Sequence, residues 1–280
     1  MRRRVRKFLS STFDQPLGTR VADGGYHIDL RVKARSSDVA TAWPWTPGDK
    51  SWIAYAQYGL GCNERWVAGE GEEWLAAART VGDTLVERQT AEGAWIQGFD
   101  LGHTYDLRAP WTSAMAQGEA ASLLTRLHAA TGEERYREAA ERAVEPMPMA
   151  WLPDGSPFPQ EYPTDPPSHV LNGAIYAIWG LYDAAPRERF DDALDALVLN
   201  LHRWDTGSWS LYDLYPHPIQ NWASLAYHEL HATQLRALTA LSDRTALAEA
   251  ADRFESYWSS SFYRGRALAH KAAFRVRVPR

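Results

Sequence analysis

The chain has 280 residues, of which 45% are hydrophobic and 23% charged, and its formal net charge is −5. This length and composition fit one large globular domain and exclude a wholly disordered protein. The negative balance argues against a nucleic-acid partner held by overall charge. No run of eighteen apolar residues is present to span a membrane. The single cysteine, Cys62, excludes a disulfide within the chain.

The N-terminal segment begins with a basic stretch, MRRRVRKF, which lacks the apolar run of a signal peptide. We therefore expect no secretory signal and favour a cytoplasmic location. Polar and apolar residues alternate over 24–34, GGYHIDLRVKA, and this pattern predicts a strand. Residues 1–49 are thus predicted to form a loose basic arm with a short β segment.

Residues 50–262 carry helical patterns in pairs and predict the catalytic domain. One member of each pair is amphipathic, with apolar residues at i, i+3, i+4 and i+7 and a charged opposite face. The other is apolar or small around most of its circumference, which indicates burial on all sides. Four such hairpins predict a mainly α fold, an (α/α)4 toroid or barrel. Residues 263–280 are predicted to form a C-terminal tail that could add a second strand.

Long links are predicted at one end of the toroid and short links at the other. The long links, roughly 91–110, 146–167 and 203–220, each precede an inner helix, as does 35–50, so they must gather at one end. That end also presents helix N-termini, which favour an anionic ligand. Aromatic rings suit the faces of sugars, so we expect an acidic polysaccharide or oligosaccharide there. The tryptophans expected at this mouth are Trp43, Trp45, Trp95, Trp151, Trp204 and Trp209, with Trp111 and Trp222 at its edge.

Four ordered stretches resemble the C-terminal helical domain of the D-glucuronyl C5-epimerase family. They are YAQYGLG (55–61), PWTSAMAQGEAASLL (110–124), EYPTDPPSHVLNGAIYAIWGLYD (161–183), and the stretch from GSWSLYDLYP to NWASLAYHELHATQL (207–235). This family converts glucuronate to iduronate within heparan-type chains by inverting carbon 5, without a dissociable redox cofactor. The resemblance implies that this protein has the same C5-epimerase activity and uses no cofactor. Because family members are often dimers, a homodimer is a further expectation.

The resemblance implies that Tyr162 and Tyr227 carry the reaction as opposed acid and base. It also implies an assisting carboxylate, Glu161, and a further tyrosine, Tyr212. Inversion requires proton-transfer groups on opposite faces of the sugar ring, and the dianionic enediolate requires electrostatic stabilisation. Free tyrosine has a pKa of about 10 and is a poor base at neutral pH. A helix capped by Asn221 would favour the phenolate of Tyr227.

Two departures from the family pattern remove charged groups. Tyr215 stands where the family's YDLR pattern has arginine, and Ala226 stands where its DYH pattern has aspartate. We expect Arg108 or Arg203, both in the long links, to supply the cation that neutralises the substrate carboxylate. The other side chains predicted to bind substrate are Tyr105, Gln117, Asn172, Trp209, His228 and His231.

Other interpretations of these residues stay open. Tyr227 and His231 lie one helical turn apart and could belong to a hydrogen-bonded core network, while Asn172 and Gln117 could satisfy loop backbone. A polysaccharide lyase would generate the same carbanion. A glycan-binding protein without activity and an α/α-barrel glycosidase are further alternatives. The run HELH (228–231) lacks the HExxH spacing of metalloproteases and has no evident third ligand, so no metal site is expected.

Overall fold

The computed structural model describes residues 23–34, 51–102 and 104–278. The predicted basic arm, Trp43, Trp45 and the link at 35–50 lie outside these ranges. The mainly α fold expected from the sequence is confirmed. The described helices are α1 (Trp52–Val67), α2 (Glu72–Arg88), α3 (Ala114–Thr131), α4 (Glu134–Ala143), α5 (Leu171–Ala184), α6 (Arg187–Asn200), α7 (Leu225–Thr239), α8 (Thr245–Ser259) and α9 (Ser261–Arg277).

Helices α1 to α8 pack as four consecutive pairs, and one helix of each pair is buried. Helices α1, α3, α5 and α7 are the buried set, and they contact one another in chain order, α1 with α3, α3 with α5 and α5 with α7. The backbones of α3 and α5 approach so closely that a Cβ on Gly180 would overlap the backbone of Gly118. Glycine is required at both positions for this reason. That the four buried helices close into a ring, as a toroid requires, stays a prediction.

Short antiparallel pairings shape the long links ahead of the buried helices. Before α5, strand β1 (Met149–Trp151) pairs with β2 (Pro157–Pro159), and Ala150 lies opposite Phe158. Isolated bridges join Gln97 to Trp111 before α3 and Leu211 to Trp222 before α7. These pairings satisfy backbone groups that a long irregular loop would leave open.

The strand predicted over 24–34 is wrong. Tyr26, Ile28 and Leu30 are buried, as the alternation indicated, but residues 31–33 form a single 3₁₀ turn. Ile28 takes part in an isolated β-bridge, and the backbone before it bonds to side chains at the C-terminal ends of the buried helices. The Tyr26 amide donates to Glu64, and Arg126 donates to the carbonyl of Gly25 at 3.2 Å. The segment therefore covers the end of the helices opposite the long links.

The strand predicted in the C-terminal tail is also wrong, since this part of the chain forms helix α9. Its N-cap is Ser260, whose side chain accepts from the amide of Tyr263 at 3.3 Å. Ala267, Lys271 and Phe274 are its buried residues, spaced by four and three positions, so one helical face packs inward. Among the described residues, no helix has the length and apolar character needed to cross a membrane.

Candidate active site

Four tyrosines meet where the buried helices α3, α5 and α7 begin. Tyr105, Tyr162 and Tyr212 come from the three long links, and Tyr227 lies in the first turn of α7. The rings of Tyr105 and Tyr162 are 5.1 Å apart, and those of Tyr212 and Tyr227 are 4.8 Å apart and nearly perpendicular. Together with Glu161 we call these residues the tyrosine cluster. All three links predicted to gather at one end thus contribute a side chain.

The carboxyl of Glu161 lies behind the tyrosine rings and is 3% exposed. It packs against Gly173 in the first turn of α5, where any side chain would displace it. Its Oε2 atom has no hydrogen-bond partner among the described residues. Burial raises the pKa of Glu161 from 4.5 to about 7, although interaction with the Tyr162 hydroxyl opposes the shift. A carboxyl with this pKa changes its charge near neutral pH, as proton-transfer groups must.

Tyr105, Tyr162 and Tyr212 are neutral phenols at neutral pH, because the pKa of each is raised well above 10. Burial, followed by the charge of Glu161, raises the pKa of both Tyr162 and Tyr212 well above the usual value. The Tyr162 hydroxyl also interacts with the side chains of Glu161 and Tyr212. Tyr162, Tyr212 and Tyr227 nevertheless remain half-buried and not fully enclosed. The cluster therefore offers proton donors and one titratable carboxyl to a ligand at the mouth.

A buried carboxylate, Asp213, holds the links of the cluster together. Its Oδ2 accepts from the Tyr105 hydroxyl and from the Asn221 amide, both at 2.5 Å, and its Oδ1 accepts from the Tyr215 amide at 3.2 Å. Asn221 was expected to cap α7, and this is wrong, because Ser224 is the N-cap and accepts from the Tyr227 amide at 3.4 Å. Asn221 instead fixes Asp213 within the loop.

The cation next to the cluster is Lys271, a residue that sequence reasoning missed. It reaches in from α9 and is 5% exposed. Its Nζ donates to Oδ1 of Asn221 at 2.7 Å and to the carbonyl of Trp222 at 2.9 Å, and it lies 5.7 Å from the centre of the Tyr212 ring. Lys271 thus places a buried positive charge beside the tyrosines.

The arginines expected to supply this cation do not contact the cluster in the described structure. Arg108 has a largely exposed side chain and pairs with Asp100 at 2.9 Å and Asp106 at 3.2 Å. Arg203 donates to Oδ1 of Asn200 at 2.8 Å. Their predicted role was assigned from loop length alone, which does not determine where a side chain points.

Three side chains predicted to bind substrate are held in buried hydrogen bonds, as the alternative interpretations of His231 and Gln117 described. Gln117 accepts from the Trp95 amide and donates to the carbonyls of Gly93 and Ala143. His228 and His231 are fully buried and share the hydroxyl of Ser210, at 2.7 and 2.8 Å. A sugar cannot reach these groups. Asn172 is 3% exposed at the start of α5, with Oδ1 unpartnered among the described residues.

The expected lining of exposed tryptophans is also wrong. Trp95, Trp204 and Trp209 are fully buried, and each indole N–H donates to a backbone carbonyl at 2.9 Å, those of Leu85, His169 and Ala223 respectively. Such a bond is what a buried indole requires. Trp95 thus joins its link to α2, Trp204 joins two links to each other, and Trp209 closes its own link. None of the three presents a face to sugar. Of the predicted set in the described residues, only Trp151 is largely exposed, at 70%.

We expect Trp209→Phe to destabilise the fold by about 2–4 kcal/mol, because it leaves the carbonyl of Ala223 unpaired and weakens a ring stack. That stack joins Trp209 to His228 with ring centres 3.7 Å apart. Urea unfolding measures the loss. Glycan affinity of the folded variant should remain within about twofold of wild type, well below the cost of losing a stacked sugar. If Trp209→Phe instead lost much of its glycan affinity while its free energy of unfolding stayed unchanged, Trp209 would be a substrate-binding residue after all.

The fold and the cluster define a mainly helical protein with a tyrosine–carboxylate site suited to proton transfer. Residues 89–256 match the family model described as D-glucuronyl C5-epimerase C-terminus, a span that includes the whole tyrosine cluster. The chain therefore belongs to this family, as its sequence motifs indicated.

Two relatives show how much of the chain is shared. A D-glucuronyl C5-epimerase of Caenorhabditis elegans is 29% identical over 218 residues, which cover 66% of this chain and 35% of that protein. An uncharacterized protein of Methanocaldococcus jannaschii is 28% identical over 202 residues, which cover 59% of this chain and 62% of that protein. The chain thus spans about a third of the nematode relative and about three fifths of the archaeal one.

Proposed function

We propose that this protein is a uronate C5-epimerase that acts on glucuronate residues within an acidic polysaccharide. The observation that carries the proposal is the buried Glu161 carboxyl, whose pKa is raised to about 7, in contact with half-buried tyrosines at the mouth. Burying such a group without full hydrogen bonding costs stability. A requirement for proton transfer near neutral pH accounts for that cost.

The first step removes the proton from carbon 5 on one face of the sugar. The ionised Glu161 carboxylate accepts the hydroxyl proton of Tyr162 as the Tyr162 oxygen takes the proton from carbon 5. The electron pair of the broken C–H bond moves into the substrate carboxylate and forms an enediolate dianion. The interaction between Glu161 and Tyr162 supports this relay, since Tyr162 alone is too weak a base.

The second step returns a proton on the opposite face and inverts carbon 5. Tyr227 donates its hydroxyl proton to carbon 5, the electron pair returns from the carboxylate, and the product is iduronate. Tyr227 is half-buried and regains its proton from solvent, with the edge of Tyr212 against its ring. Glu161 releases to solvent the proton that it accepted in the first step, which restores its carboxylate. In the reverse reaction the two faces exchange roles.

The dianion between these steps requires positive charge in a poorly hydrated site. Lys271 supplies an ammonium beside Tyr212, and it replaces the arginine that is missing from the YDLR pattern. The N-termini of α5 and α7 add partial positive charge at the same mouth. These groups, with Glu161 and the tyrosines, make up the proposed catalytic set.

Incubation with heparosan in heavy water tests the proposal. We expect deuterium at carbon 5 and the appearance of iduronate, both followed by NMR, with chain length unchanged. A rise in ultraviolet absorbance from unsaturated uronate would instead identify a lyase, in which the same enediolate expels the substituent at carbon 4. Binding without any deuterium uptake would identify a glycan-binding protein that does not catalyse.

A further inference from the structure

Helix α9 carries an unusual concentration of positive charge for this chain. Its seventeen residues include Arg264, Arg266, Lys271, Arg275 and Arg277 and no aspartate or glutamate, whereas the whole chain has a net charge of −5. The match to the family model ends at residue 256, so neither the helix nor its charges belong to the matched region.

Three of its side chains form a row on one flank of the helix, which we call the basic strip. Arg266, His270 and Arg277 lie four and seven positions apart, a spacing that places them on one face over about 16 Å. The charges of Lys271, Arg266 and Arg277 all act on the imidazole of His270 and, after burial, lower its pKa. This flank therefore has cations close together without an anion between them.

Arg266 and Arg277 have no carboxylate partner among the described residues. Arg236 and Arg137, on other surface helices, differ in this respect, since Arg236 pairs with Asp252 and Glu255, and Arg137 pairs with Glu134 and Glu141. Cations held close together repel one another unless an anion neutralises them. The strip is thus a surface whose charges lack their counterpart.

The basic strip is continuous with the tyrosine cluster through Trp222. The His270 ring stacks on the Trp222 ring at 4.4 Å, and the Arg266 guanidinium lies 5.1 Å from its centre. The carbonyl of Trp222 accepts from Lys271, and the carbonyl of the preceding residue, Asn221, accepts from the Tyr212 amide at 2.7 Å. The strip therefore adjoins the tyrosine cluster, with Trp222 and Lys271 packed between them.

We propose that the basic strip binds the anionic glycan chain on one side of the reacting uronate. This inference rests on the proposed function and adds to it a second contact region, which makes the protein prefer long chains. Each carboxylate or sulfate of the flanking sugars would neutralise one cation of the strip. Guanidinium groups suit such anions because their donors form a planar fork.

The double variant Arg266→Ala/Arg277→Ala tests the strip by direct binding to heparosan chains. We expect its affinity for long chains to fall about tenfold and the slope of log Kd against log salt to decrease by about two, one unit for each lost contact. A trisaccharide, too short to occupy the cluster and also run the whole length of the strip, should lose less affinity than a long chain, since its contacts with the tyrosine cluster persist. Arg266→Lys should retain part of the affinity, because it keeps the charge but loses the planar fork of the guanidinium.

The control is Arg137→Ala/Arg187→Ala, which removes two positive charges from α4 and α6, where both arginines are ion-paired. An equal loss of affinity in the control would overturn the inference, because only net charge would then matter. Stronger, strip-dependent binding to vesicles of anionic lipid than to heparosan would also overturn it. Deuterium exchange at carbon 5 by the wild type tests the proposed function separately. If the wild type exchanges deuterium but its affinity for long chains does not depend on Arg266 and Arg277, the role of the basic strip is refuted and the proposed function stands.

Discussion

Tyr162→Phe is expected to reduce the rate of deuterium uptake at carbon 5 by about 10³-fold, within the range that a positioned proton-transfer group contributes. Phenylalanine keeps the ring contact with Tyr105, at 5.1 Å in the wild type, but removes the hydroxyl that we propose connects Glu161 to the substrate. The relay on that face is then broken. Single-turnover exchange with heparosan, measured by NMR, gives the rate directly.

The matched control is Tyr257→Phe on α8. Tyr257 is also half-buried, and its hydroxyl bonds to Asp205 at 3.2 Å. The variant lacks a comparable hydroxyl, but one outside the tyrosine cluster. The rate of deuterium exchange should therefore stay within about twofold of wild type, while the free energy of unfolding falls by about 1 kcal/mol. Exchange by Tyr162→Phe at the same rate as Tyr257→Phe would show that Tyr162 does not transfer the proton.

Glu161→Gln is expected to abolish exchange and at the same time to stabilise the fold above neutral pH. The pKa of Glu161 is raised from 4.5 to about 7 in the folded protein. Between these values the folded state holds a proton that the unfolded state has released, so stability falls as pH rises through that window. The penalty is complete above pH 7 and amounts to about 3 kcal/mol, which the neutral glutamine avoids.

Urea unfolding of wild type and Glu161→Gln across this pH range measures the effect. The variant should be more stable by up to about 3 kcal/mol near pH 8, and the difference should shrink to nearly zero near pH 4.5. Glu141→Gln, at an exposed position on α4, serves as the control and should show no such trend. A Glu161→Gln variant that is less stable than wild type near pH 8 would contradict the buried, unpaired carboxyl.

The activity of the wild type should follow the same titration. Because the relay needs the ionised carboxylate, kcat/KM should rise with pH with a midpoint at the pKa of Glu161, about 7.

The helical part of the fold was predictable because it depends on local periodicity. The buried set was recognisable from helices that are apolar all round, and Gly118 and Gly180 indeed lie where α3 and α5 approach most closely. The helix start near Tyr227 was placed at Asn221, three residues before the actual cap, Ser224. Asn and Ser are both good caps, and only the contacts of Asn221 with the loop show which one is used.

The predictions that were wrong concern residues whose environment depends on distant segments. Alternating burial of Tyr26, Ile28 and Leu30 is equally compatible with a strand and with a segment inserted among helix ends. The tryptophans of the long links suited sugar binding by type, but Trp95, Trp204 and Trp209 use their indole N–H groups to fix those links. Composition cannot distinguish an exposed ring from a buried one.

The site was predictable in part. Glu161, Tyr162, Tyr212 and Tyr105 come together as the gathering of the long links implied, whereas Lys271 lies outside every motif. A signal for it was present, because Tyr263, Ala267, Lys271 and Phe274 follow helical spacing. A lysine on the apolar face of a helix indicates a buried cation with partners.

The structure of the protein with a bound glucuronate-containing oligosaccharide tests the central claim most directly. We expect carbon 5 to lie between the hydroxyls of Tyr162 and Tyr227, on opposite faces of the ring and each within about 3–3.5 Å. We also expect the sugar carboxylate to lie on the side of Lys271. A uronate with both hydroxyls on one face, or bound away from the tyrosine cluster, would contradict it.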